Sequence, residues 1–408
     1  MAKKTLDKLS LKGKRVLVRV DFNVPLDDNR NVTDDRRIRM ALPTIRKAID
    51  SGGRVILMSH LGRPEGQRKP EFSLKPTADA LASLLGKEIQ FAADCIGPEV
   101  ERMVGAMKDG DVLVLENLRF HAGEEANDPE FVKALAKLAD VYVNDAFGTA
   151  HRKHASTYGV PALMPKGTRA IGFLIEKELK FLGEALDKPV RPFVAVLGGA
   201  KVSDKIKVID NLLKKCDRVV IGGAMAYVFM VARGQGVGKS KVERVVKKKD
   251  GTEKDMIAEA RKILDKIAAS KVEVLFPEDH LVVRQFAADA DTDVQSPDIQ
   301  NGWMGVDIGP ETIALFSEKL RDARTVVWNG PMGIFEMTPF AEGSEAICKV
   351  LAEVAKKGTV VVGGGDTAAA VEKFGFAEQM THISTGGGAS LEFLEGKPFE
   401  TIEIIDEA

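Results

Sequence analysis

The chain repeats one pattern of hydrophobic and polar positions: a short apolar run, a turn rich in Gly, Asn or Asp, and a segment with the apolar period of a helix. Val16–Val20, Val55–Met58 and Val112–Leu115 are such runs in the first half, and Phe193–Leu197 and Thr359–Val362 are such runs in the second. Buried strands that alternate with helices are typical of parallel sheets covered on both faces. The pattern therefore predicts an α/β protein with open, mostly parallel, doubly wound (Rossmann-like) sheets.

One helix-like segment divides the chain. Residues 174–186 carry apolar positions at helical spacing, and the pattern stops before Pro189 and Pro192, where a helix should end. A single hydrophobic core rarely exceeds about 250–300 residues, whereas this chain has 408. We therefore expect two domains, at residues 1–173 and 189–390, joined by a helix at residues 174–188.

Composition narrows the class of protein. Hydrophobic residues make up 44% of the chain and charged residues 29%, which excludes disordered, collagen-like and coiled-coil proteins. The net charge of −1 gives no bulk attraction for nucleic acid or an anionic membrane. The three cysteines lie far apart without a CxxC pair, and no signal peptide or membrane-length apolar run is present. We expect a reduced, cytoplasmic protein.

Polar side chains that follow the strands of the first half suggest an anion site. The carboxyl ends of parallel strands share one edge of the sheet, where ligands bind. Guanidinium groups match the oxygens of phosphate and carboxylate, so several arginines at that edge indicate a small phosphorylated or carboxylated ligand. Any one of these arginines alone is more simply a surface residue. His151 and His154 have helix-like spacing, but nothing nearby completes a zinc site. The candidates after the strands are Asp21, Asn23, His60, Arg63, Asn117 and Arg119, with Arg37 and Arg152 in nearby loops.

Glycine-rich turns replace these side chains in the second half. Glycine lets the backbone approach a phosphate, and a following helix presents free N–H groups. The helix expected directly after Gly198-Gly199 would place Lys201 and Lys205 one turn apart, within reach of one anion. Asp366 follows three glycines and has two equally good explanations, a helix cap or a ligand of a metal–phosphate group. Several such turns together indicate a nucleotide.

Two further segments are interpreted as surface features. Gly234–Ser240 ends like a phosphate-binding P-loop, but Arg233 stands where the first glycine belongs, and Met225–Ala232 before it looks helical. We interpret this segment as a surface turn. The basic run Lys247–Gly251 is interpreted as a solvated hairpin or loop. No GxSxG motif supports acyl chemistry on a serine.

The chain resembles the phosphoglycerate kinase family. The resemblance runs in order from near the amino terminus to about Lys397, and an ordered set of this size is highly specific. The segments that carry it are Arg19–Pro25, Ser59–Pro64, Glu116–Phe120, Gly148–Arg152, Gly198–Val202, Gly302–Gly305, Trp328–Pro331, Gly363–Thr367 and Gly386–Ser390.

The resemblance implies an enzyme of glycolysis and gluconeogenesis that reversibly transfers a phosphoryl group from 1,3-bisphosphoglycerate to ADP, giving 3-phosphoglycerate and ATP, with Mg²⁺. It also implies a monomer whose two domains close on their ligands by hinge bending, and a tail at about residues 391–408 that returns to the first domain. Glycerate binding would involve Asp21, Asn23, Arg37, His60, Leu61, Gly62, Arg63, Arg119 and Arg152. Nucleotide binding would involve Gly199, Ala200, Lys201, Lys205, Gly223, Gly305, Asn329, Glu336 at the ribose, and Gly364, Gly365, Asp366 and Thr367.

The expected catalytic groups are donors rather than bases. Because a carboxylate or phosphate oxygen is already a deprotonated nucleophile, the reaction needs positioning and charge neutralisation. Arg37, Lys201 and the amides of Gly365 and Gly388 are the donors we expect, and Asp366 is the residue expected to hold the metal. Asp21 and Asn23 are expected to orient the substrate and the arginines.

Two departures and two alternatives complete the sequence analysis. Pro398–Ile405 replaces the family's usual Leu-Pro-Gly-Val end, so the resemblance does not predict how the tail docks, and the segment around Lys247–Lys249 looks like an added loop. An inactive nucleotide-binding scaffold is one alternative, although it has no reason to retain the whole set of donors. A dinucleotide dehydrogenase is the other, but no GxGxxG opens a helix after a strand.

Overall fold

Two separate parallel sheets organise the protein. The computed structural model describes residues 2–248 and 250–408, and contacts divide the chain into two units. The first unit extends to Leu179 and also contains Pro398–Ala408, and the second unit is Lys180–Lys397. The division lies inside the long helix expected to join the domains, rather than at residues 173 and 189.

The first unit is built on a six-stranded parallel sheet with the order β3-β4-β2-β1-β5-β6. Val16 and Val18 in β1 belong to the core on one face, and Leu17 between them is equally inaccessible on the other. Both faces are therefore covered, which explains the uninterrupted apolar run. The strands are β1 (Arg15–Arg19), β2 (Arg54–Met58), β3 (Gln90–Phe91), β4 (Val112–Val114), β5 (Val141–Asn144) and β6 (Arg169–Ile171).

Amphipathic helices connect these strands. The first helix buries Ile38, Ala41, Ile45 and Ala48, a stripe at helical spacing that packs in the sheet's core. The helices predicted around residues 38–49 and 131–138 are both present, with their ends moved by one to two residues. The helices are α1 (Arg36–Asp50), α2 (Lys75–Leu85), α3 (Pro98–Ala106), α4 (Ala122–Ala126), α5 (Pro129–Ala136), α6 (Val160–Leu163) and α7 (Phe173–Asp187).

The second unit repeats the architecture with the order β11-β8-β7-β15-β16-β17, again all parallel. Val194, Val196, Val326 and Val360 lie in one core on this sheet. The α/β class with parallel, doubly wound sheets is therefore confirmed. The strands are β7 (Phe193–Leu197), β8 (Arg218–Ile221), β9 (Val245–Lys247), β10 (Glu253–Asp255), β11 (Glu273–Leu275), β12 (His280–Val283), β13 (Thr292–Gln295), β14 (Met304–Ile308), β15 (Thr325–Asn329), β16 (Thr359–Gly363) and β17 (His382–Ile383).

Antiparallel pairs add what the sequence pattern did not predict. β13, β12 and β14 form a small antiparallel sheet, with a register shift between Leu281 and Val282. β9 and β10 form a two-stranded hairpin at the basic run, as one of the two predicted alternatives required. Lys249 of that run lies outside the described residues. β9, β10 and β13 are short and largely exposed, so no continuous apolar run predicts them.

One helix of the second unit begins later in the chain than predicted. The helix expected directly after Gly199 begins only at Ile206, and Lys201–Lys205 form turns before it. The helix predicted at Met225–Ala232 has those bounds. Within the described residues, no helix combines the length and apolar character needed to cross a bilayer. The helices are α8 (Ile206–Leu212), α9 (Met225–Ala232), α10 (Met256–Ala269), α11 (Pro310–Leu320), α12 (Glu342–Ala355), α13 (Gly365–Lys373) and α14 (Gly387–Leu394).

A nearly buried ion pair between Asp406 and Arg169 is one of several contacts that dock the carboxyl-terminal tail on the first unit. Asp406 Oδ1 accepts from Arg169 Nη2 at 2.6 Å and Nε at 3.0 Å, and Oδ2 accepts from the amide of Gly167 at 2.7 Å. A short helix, α15 (Glu400–Glu403), precedes this contact. The segment in the first unit begins at Pro398 rather than near residue 391, because α14 belongs to the second unit.

Buried Asp145 holds the start of α7. Its Oδ1 accepts from the amides of Leu174 at 2.9 Å and Ile175 at 3.3 Å. Thr44 of α1 accepts from the amide of Phe173 at 2.9 Å. Burial raises the pKa of Asp145 to about 7, and the hydrogen bonds from Thr44 and the α7 amides only partly oppose it. The folded protein therefore holds this proton more tightly than the unfolded chain.

Asp145→Asn should change how stability depends on pH. Because the folded pKa exceeds the unfolded value, the wild type loses unfolding free energy as pH rises from about 4 to about 7, by roughly 2–4 kcal/mol. The asparagine variant lacks this loss. Its free energy of unfolding in urea, relative to that of the wild type, should therefore increase as pH rises across that window. Asp79→Asn, at an exposed position, should follow the wild type, and parallel curves for Asp145→Asn would contradict the assignment.

Candidate functional site

A cluster of arginines surrounds one histidine at the carboxyl ends of β1, β2 and β4. His60 is buried, and its Nδ1 lies 3.1 Å from Nη2 of Arg19. Burial, followed by the charges of Arg19, Arg119, Arg37 and Arg152, lowers the pKa of His60 well below its usual value. The histidine is therefore neutral, and four guanidinium groups lie close enough for their positive charges to disfavour its protonation.

Asp21 and Asn23 orient Arg37. Nη1 of Arg37 donates to Asp21 Oδ1 and to the carbonyl oxygen of Asn23, both at 3.1 Å. The amide of Asn23 also donates to Asp21 Oδ1 at 3.1 Å, and Asn23 Oδ1 accepts from the amide of Gly62 at 2.8 Å. Arg37, expected in a loop, is the second residue of α1. The carboxylate of Asp21 and the backbone carbonyl oxygen of Asn23 thus hold the guanidinium group of Arg37.

Arg119 and Arg152 enter the same cluster from two other segments. Arg119 is almost fully buried; its Nη1 donates to the carbonyl oxygen of Gly62 at 2.8 Å, and its Nη2 lies 3.1 Å from Glu125. Its Nε has no hydrogen-bond partner among the described residues. Arg152 Nε lies 3.0 Å from Nε2 of His151. Burial together with Arg119, Arg19, Arg152 and His151 lowers the pKa of His154 to about 3, so this histidine adds no charge.

Sequence analysis did not select two members of this cluster, Arg19 and Glu124. Nε of Arg19 donates to Ser156 Oγ at 2.8 Å, and Glu124 accepts from the same hydroxyl at 2.6 Å. Burial raises the pKa of Glu124, while the charge of Arg19 acts in the opposite direction. Arg19 is the last residue of β1, and a charged residue inside an apolar run was the available signal.

The remaining predicted residues of the first unit have different surroundings. Leu61 is buried, and its carbonyl oxygen accepts from Asn117 Nδ2 at 2.7 Å. Gly62 has φ of 62°, and a Cβ there would lie 2.4 Å from the ring of Phe72, so glycine is required. Arg63 is exposed, and its side chain makes no hydrogen bond or ion pair with the described residues. The structure therefore does not tie Arg63 to the cluster.

In the second unit, the glycines that directly follow β7 and β15 allow the backbones of these two segments to come into contact. The amide of Gly198 donates to the carbonyl oxygen of Asn329 at 3.0 Å, and that of Gly199 donates to Pro331 at 2.8 Å. A Cβ on Gly198 would lie 2.2 Å from the carbonyl oxygen of Pro331. β7 and β15 are neighbours from which the chain departs in opposite directions, which is where ligands bind in such sheets. Gly198 therefore serves packing rather than direct contact with a phosphate.

A cleft of about 390 Å³ opens beside this contact. Six predicted nucleotide residues line it, namely Gly199, Ala200, Gly223, Gly305, Glu336 and Asp366. The other lining residues were not predicted and are mostly apolar, as is usual for small-molecule sites. They are Ala224, Tyr227, Lys239, Lys241, Phe286, Met304, Val306, Pro331, Met332, Gly333, Ile334 and Phe335.

Asp366 lines the cleft, and Lys205, which is not part of the lining, lies near Asp366 and Gly199. Lys205 is buried, and its Nζ lies 3.8 Å from where a Cβ on Gly199 would stand. Burial lowers the pKa of Lys205, and the charges of Asp204 and Asp366 oppose it. Asp366 is exposed in the first turn of α13, whose N-cap is Gly364 and has no side-chain cap bond. Helix capping therefore does not explain Asp366, and its carboxylate is available to a ligand.

The remaining predicted nucleotide residues lie outside the cleft lining. Thr367 Oγ1 accepts from the amide of Gly330 at 2.7 Å, a structural bond. Asn329 Nδ2 is buried without a hydrogen-bond partner among the described residues, 3.0 Å from where a Cβ on Gly364 would lie. Gly365 and Gly388 are exposed in the first turns of α13 and α14, where amides have no helical partner. Lys201 is exposed, and its side chain pairs with no described residue.

The segment Gly234–Ser240 contains exposed turns, as predicted, but its end also contacts the segment that begins β14. The amide of Lys239 donates to the carbonyl oxygen of Trp303 at 2.7 Å, and Ser240 Oγ accepts from the amide of Gly305 at 2.8 Å. Lys239 lines the cleft. The segment follows α9 rather than a strand, so rejecting a P-loop was correct, yet its lysine still faces the cleft.

His151 and His154 are not part of any metal-type cluster found within the described residues. The group found there is Asp94, Cys95 and His121. His121 Nε2 lies 2.7 Å from Asp94 Oδ1, and Arg68 lies 3.1 Å from Oδ2. The carboxylate is already paired with two other groups, so the arrangement is explained without an ion.

Comparison with known proteins agrees with this fold. The family model described as phosphoglycerate kinase matches residues 6–397. Over the full length of both chains, the protein is 56% identical to the phosphoglycerate kinase of Chloroherpeton thalassium and 55% identical to that of Moorella thermoacetica. The solved structure of phosphoglycerate kinase from Coxiella burnetii has a TM-score of 0.86 at 39% identity, covering 98% of each chain. The solved structure of phosphoglycerate kinase from Pyrococcus horikoshii OT3 has a TM-score of 0.83 at 34% sequence identity, covering 99% of this chain and 98% of the other.

An anion cluster on one α/β unit and a nucleotide-type cleft on the other define a phosphotransferase of small metabolites. The chain belongs to the phosphoglycerate kinase family. The family performs glycolytic phosphoryl transfer to and from the carboxyl group of 3-phosphoglycerate, with ADP or ATP as the other substrate. The expected kinase function is confirmed, and the dehydrogenase alternative is set aside.

Gly305→Ala should weaken ADP binding. A Cβ at this position would lie 2.0 Å from the hydroxyl oxygen of Tyr227, so the tyrosine ring must move within the cleft. Overpacking of this kind costs about 1–3 kcal/mol, which predicts a rise of about tenfold or more in Kd by calorimetry. Gly105→Ala, in α3 with open space around it, is the matched control and should bind ADP normally. An unchanged Kd for Gly305→Ala would show that Tyr227 does not shape the ADP site.

Proposed function

We propose that this chain transfers a phosphoryl group between 1,3-bisphosphoglycerate and ADP, with the glycerate bound by the first unit and the nucleotide by the second. The observation that carries the proposal is the convergence of Arg19, Arg37, Arg119 and Arg152 around the neutral His60. A coupled assay for ATP formation tests it directly. ADP binding without any turnover would instead indicate an inactive scaffold.

The first unit recognises a substrate with two anionic groups. The guanidinium groups of Arg37, Arg119 and Arg152 bind phosphate or carboxylate oxygens, and the free Nε of Arg119 is one buried donor available for this. His60 is neutral and contributes a hydrogen bond rather than charge. The full glycerate set that we propose is Asp21, Asn23, Arg37, His60, Leu61, Gly62, Arg63, Arg119 and Arg152.

The second unit holds the nucleotide across the cleft. The apolar lining suits a base, and Glu336 at the cleft suits a ribose hydroxyl. Lys205, Lys201 and the amides that begin α13 and α14 are donors for the phosphates. The full nucleotide set that we propose is Gly199, Ala200, Lys201, Lys205, Gly223, Gly305, Asn329, Glu336, Gly364, Gly365, Asp366 and Thr367.

Asp366 is the residue that would hold Mg²⁺. Its carboxylate is exposed, lines the cleft and is not consumed by helix capping. Mg²⁺ is usually bound by one or two carboxylates together with substrate phosphates, so this donor set fits. When bound, the ion neutralises phosphate charge and orients the phosphate oxygens.

No general base is required in this mechanism. The acceptor oxygen, on ADP or on the carboxylate of 3-phosphoglycerate, is already deprotonated. The transferring group carries spread negative charge, so catalysis consists of alignment and charge stabilisation. Arg37, Lys201 and the amides of Gly365 and Gly388 are the donors that we assign to this role.

Arg37→Ala and Lys201→Ala should each lower kcat about 100- to 1,000-fold, because each removes one donor to the transferring group. Steady-state kinetics in both directions measures the effect. Arg39→Ala and Lys207→Ala are matched controls at exposed positions of α1 and α8, and they should turn over normally. Near-normal turnover in either site variant would remove that residue from the catalytic set.

The units must also bring their ligands together and exclude water, since water would hydrolyse the acyl phosphate. We propose closure by a hinge in α7 and at the return of the chain, expected near Ser390. Small-angle scattering should show a smaller radius of gyration with both ligands bound than with either alone. An unchanged radius with both bound would contradict closure.

We further propose a monomeric cytoplasmic enzyme without affinity for nucleic acid or membranes. The near-zero net charge supports this, as do three buried free cysteines that fit a reducing compartment.

A further inference from the structure

Arg19 gives the two ring nitrogens of His60 different roles. Nη2 of Arg19 lies 3.1 Å from Nδ1 of His60 in the buried part of the cluster. A guanidinium group only donates hydrogen bonds, so Nδ1 must accept through its lone pair. Burial, followed by the surrounding arginine charges, lowers the pKa of His60, and the neutral ring carries a single proton. That proton therefore belongs on Nε2, which makes no hydrogen bond with any described residue.

Other contacts fix the position of Arg19 itself. It is the last residue of β1, where it pairs with Met58 on one side and Asn144 on the other. Its Nη1 donates to the carbonyl oxygen of Val20, and its Nε donates to Ser156 Oγ at 2.8 Å. Only 1% of the residue is exposed, so water does not compete for these donors. The guanidinium plane is thus held with Nη2 toward the histidine.

Ser156 accepts from Arg19 because its own proton is committed elsewhere. Its hydroxyl donates to Glu124 Oε1 at 2.6 Å, and its amide donates to Oε2 of the same carboxylate at 3.0 Å. The carbonyl oxygen of Ser156 accepts from the hydroxyl of Tyr142 at 2.8 Å. None of these three side chains is exposed to solvent. One carboxylate therefore orders the hydrogen bonds that connect Ser156, Arg19 and His60.

Charge balance alone does not explain this series of hydrogen bonds. A buried guanidinium group needs a nearby negative charge, and a direct pair with a carboxylate commonly takes two of its nitrogens. Glu124 instead makes no direct ion pair with Arg19 and reaches it through the serine. This leaves Nη2 free for the histidine, while the charges of Glu124 and Arg19 still act on each other. The series therefore serves the histidine as well as the fold.

We propose that Glu124 and Ser156 are positioning residues, which through Arg19 keep the ring of the histidine protonated on Nε2. The ring then donates a hydrogen bond to an anionic oxygen of the glycerate substrate. The other tautomer would present a lone pair to the same oxygen and would repel it. This inference rests on the proposed function, since it assumes that His60 contacts glycerate.

Nitrogen–proton correlation spectra of the isotope-labelled protein test the tautomer directly, because the ring nitrogens have different chemical shifts in each tautomer. The chain has six histidines, and His60→Gln identifies the signals of this one. We expect a single Nε2–H form in the wild type at neutral pH, and a shift of its Nε2 signal when 3-phosphoglycerate is added. A ring protonated on Nδ1, in a protein that binds 3-phosphoglycerate, would overturn the inference alone. An Nε2–H ring whose signals ignore saturating 3-phosphoglycerate would refute the proposed placement of glycerate and the donor role with it.

Ser156→Ala and Glu124→Gln test the two positioning residues. Each removes a partner that holds Arg19, so a second, Nδ1–H form of His60 should appear in the spectra. KM for 3-phosphoglycerate should rise about tenfold while kcat changes by about threefold or less, because the loss is in the ordering of a binding group. Ser156→Cys keeps a weaker donor and acceptor at the same place and should show smaller changes than alanine.

Glu130→Gln, at an exposed position of α5, is the matched control and should keep the wild-type tautomer and KM. A variant of Ser156 or Glu124 that unfolds more easily yet keeps both would show that the residue serves stability alone, and would overturn its assignment. The wild-type spectrum decides the tautomer even where a variant does not fold.

Discussion

The first unit depends on holding several positive charges together before any substrate is present. Like charges at this distance repel strongly once water is excluded. The protein offsets the repulsion with Glu124 beneath Arg19, Asp21 beside Arg37 and Glu125 beside Arg119, while His60 and His154 remain neutral. Each guanidinium group is therefore fixed in place without being fully neutralised. An anionic substrate completes the balance, which is how a preorganised anion site gains affinity.

The second unit has a different kind of site at the edge of a similar sheet. Its ligand must lie close to the backbone, so glycines at the ends of β7 and β15 bring two chains into contact and open a cleft beside them. Charge is sparse there, with Lys205 buried next to Asp366. Both units have a six-stranded parallel sheet, yet their strand ends carry arginines in one unit and glycines in the other. The fold places the site, and the loop residues decide its chemistry.

The residues that sequence analysis missed share one property. Arg19 looked like part of a strand, Lys239 looked like part of a surface turn, and Tyr227 looked like one apolar position of a helix. Each faces its site because of a contact with a distant segment: Arg19 with Ser156 and His60, Lys239 with Trp303, Tyr227 with Gly305. The antiparallel sheet β13-β12-β14 was missed for a related reason, since it forms by pairing between separate segments and its edge strand β13 is short and mostly exposed.

The sequence by itself determined the parallel α/β architecture, the helices at residues 38–49, 131–138 and 225–232, and the family. These follow from local signals, because strand and helix periods and turn residues depend on near neighbours in the chain. Only the tertiary structure decided that Gly198 packs backbone against backbone, that Asp366 does not cap its helix, and that Lys239 and Lys241 face a cleft. Such facts depend on how segments far apart in sequence pack together, and no local pattern carries that information.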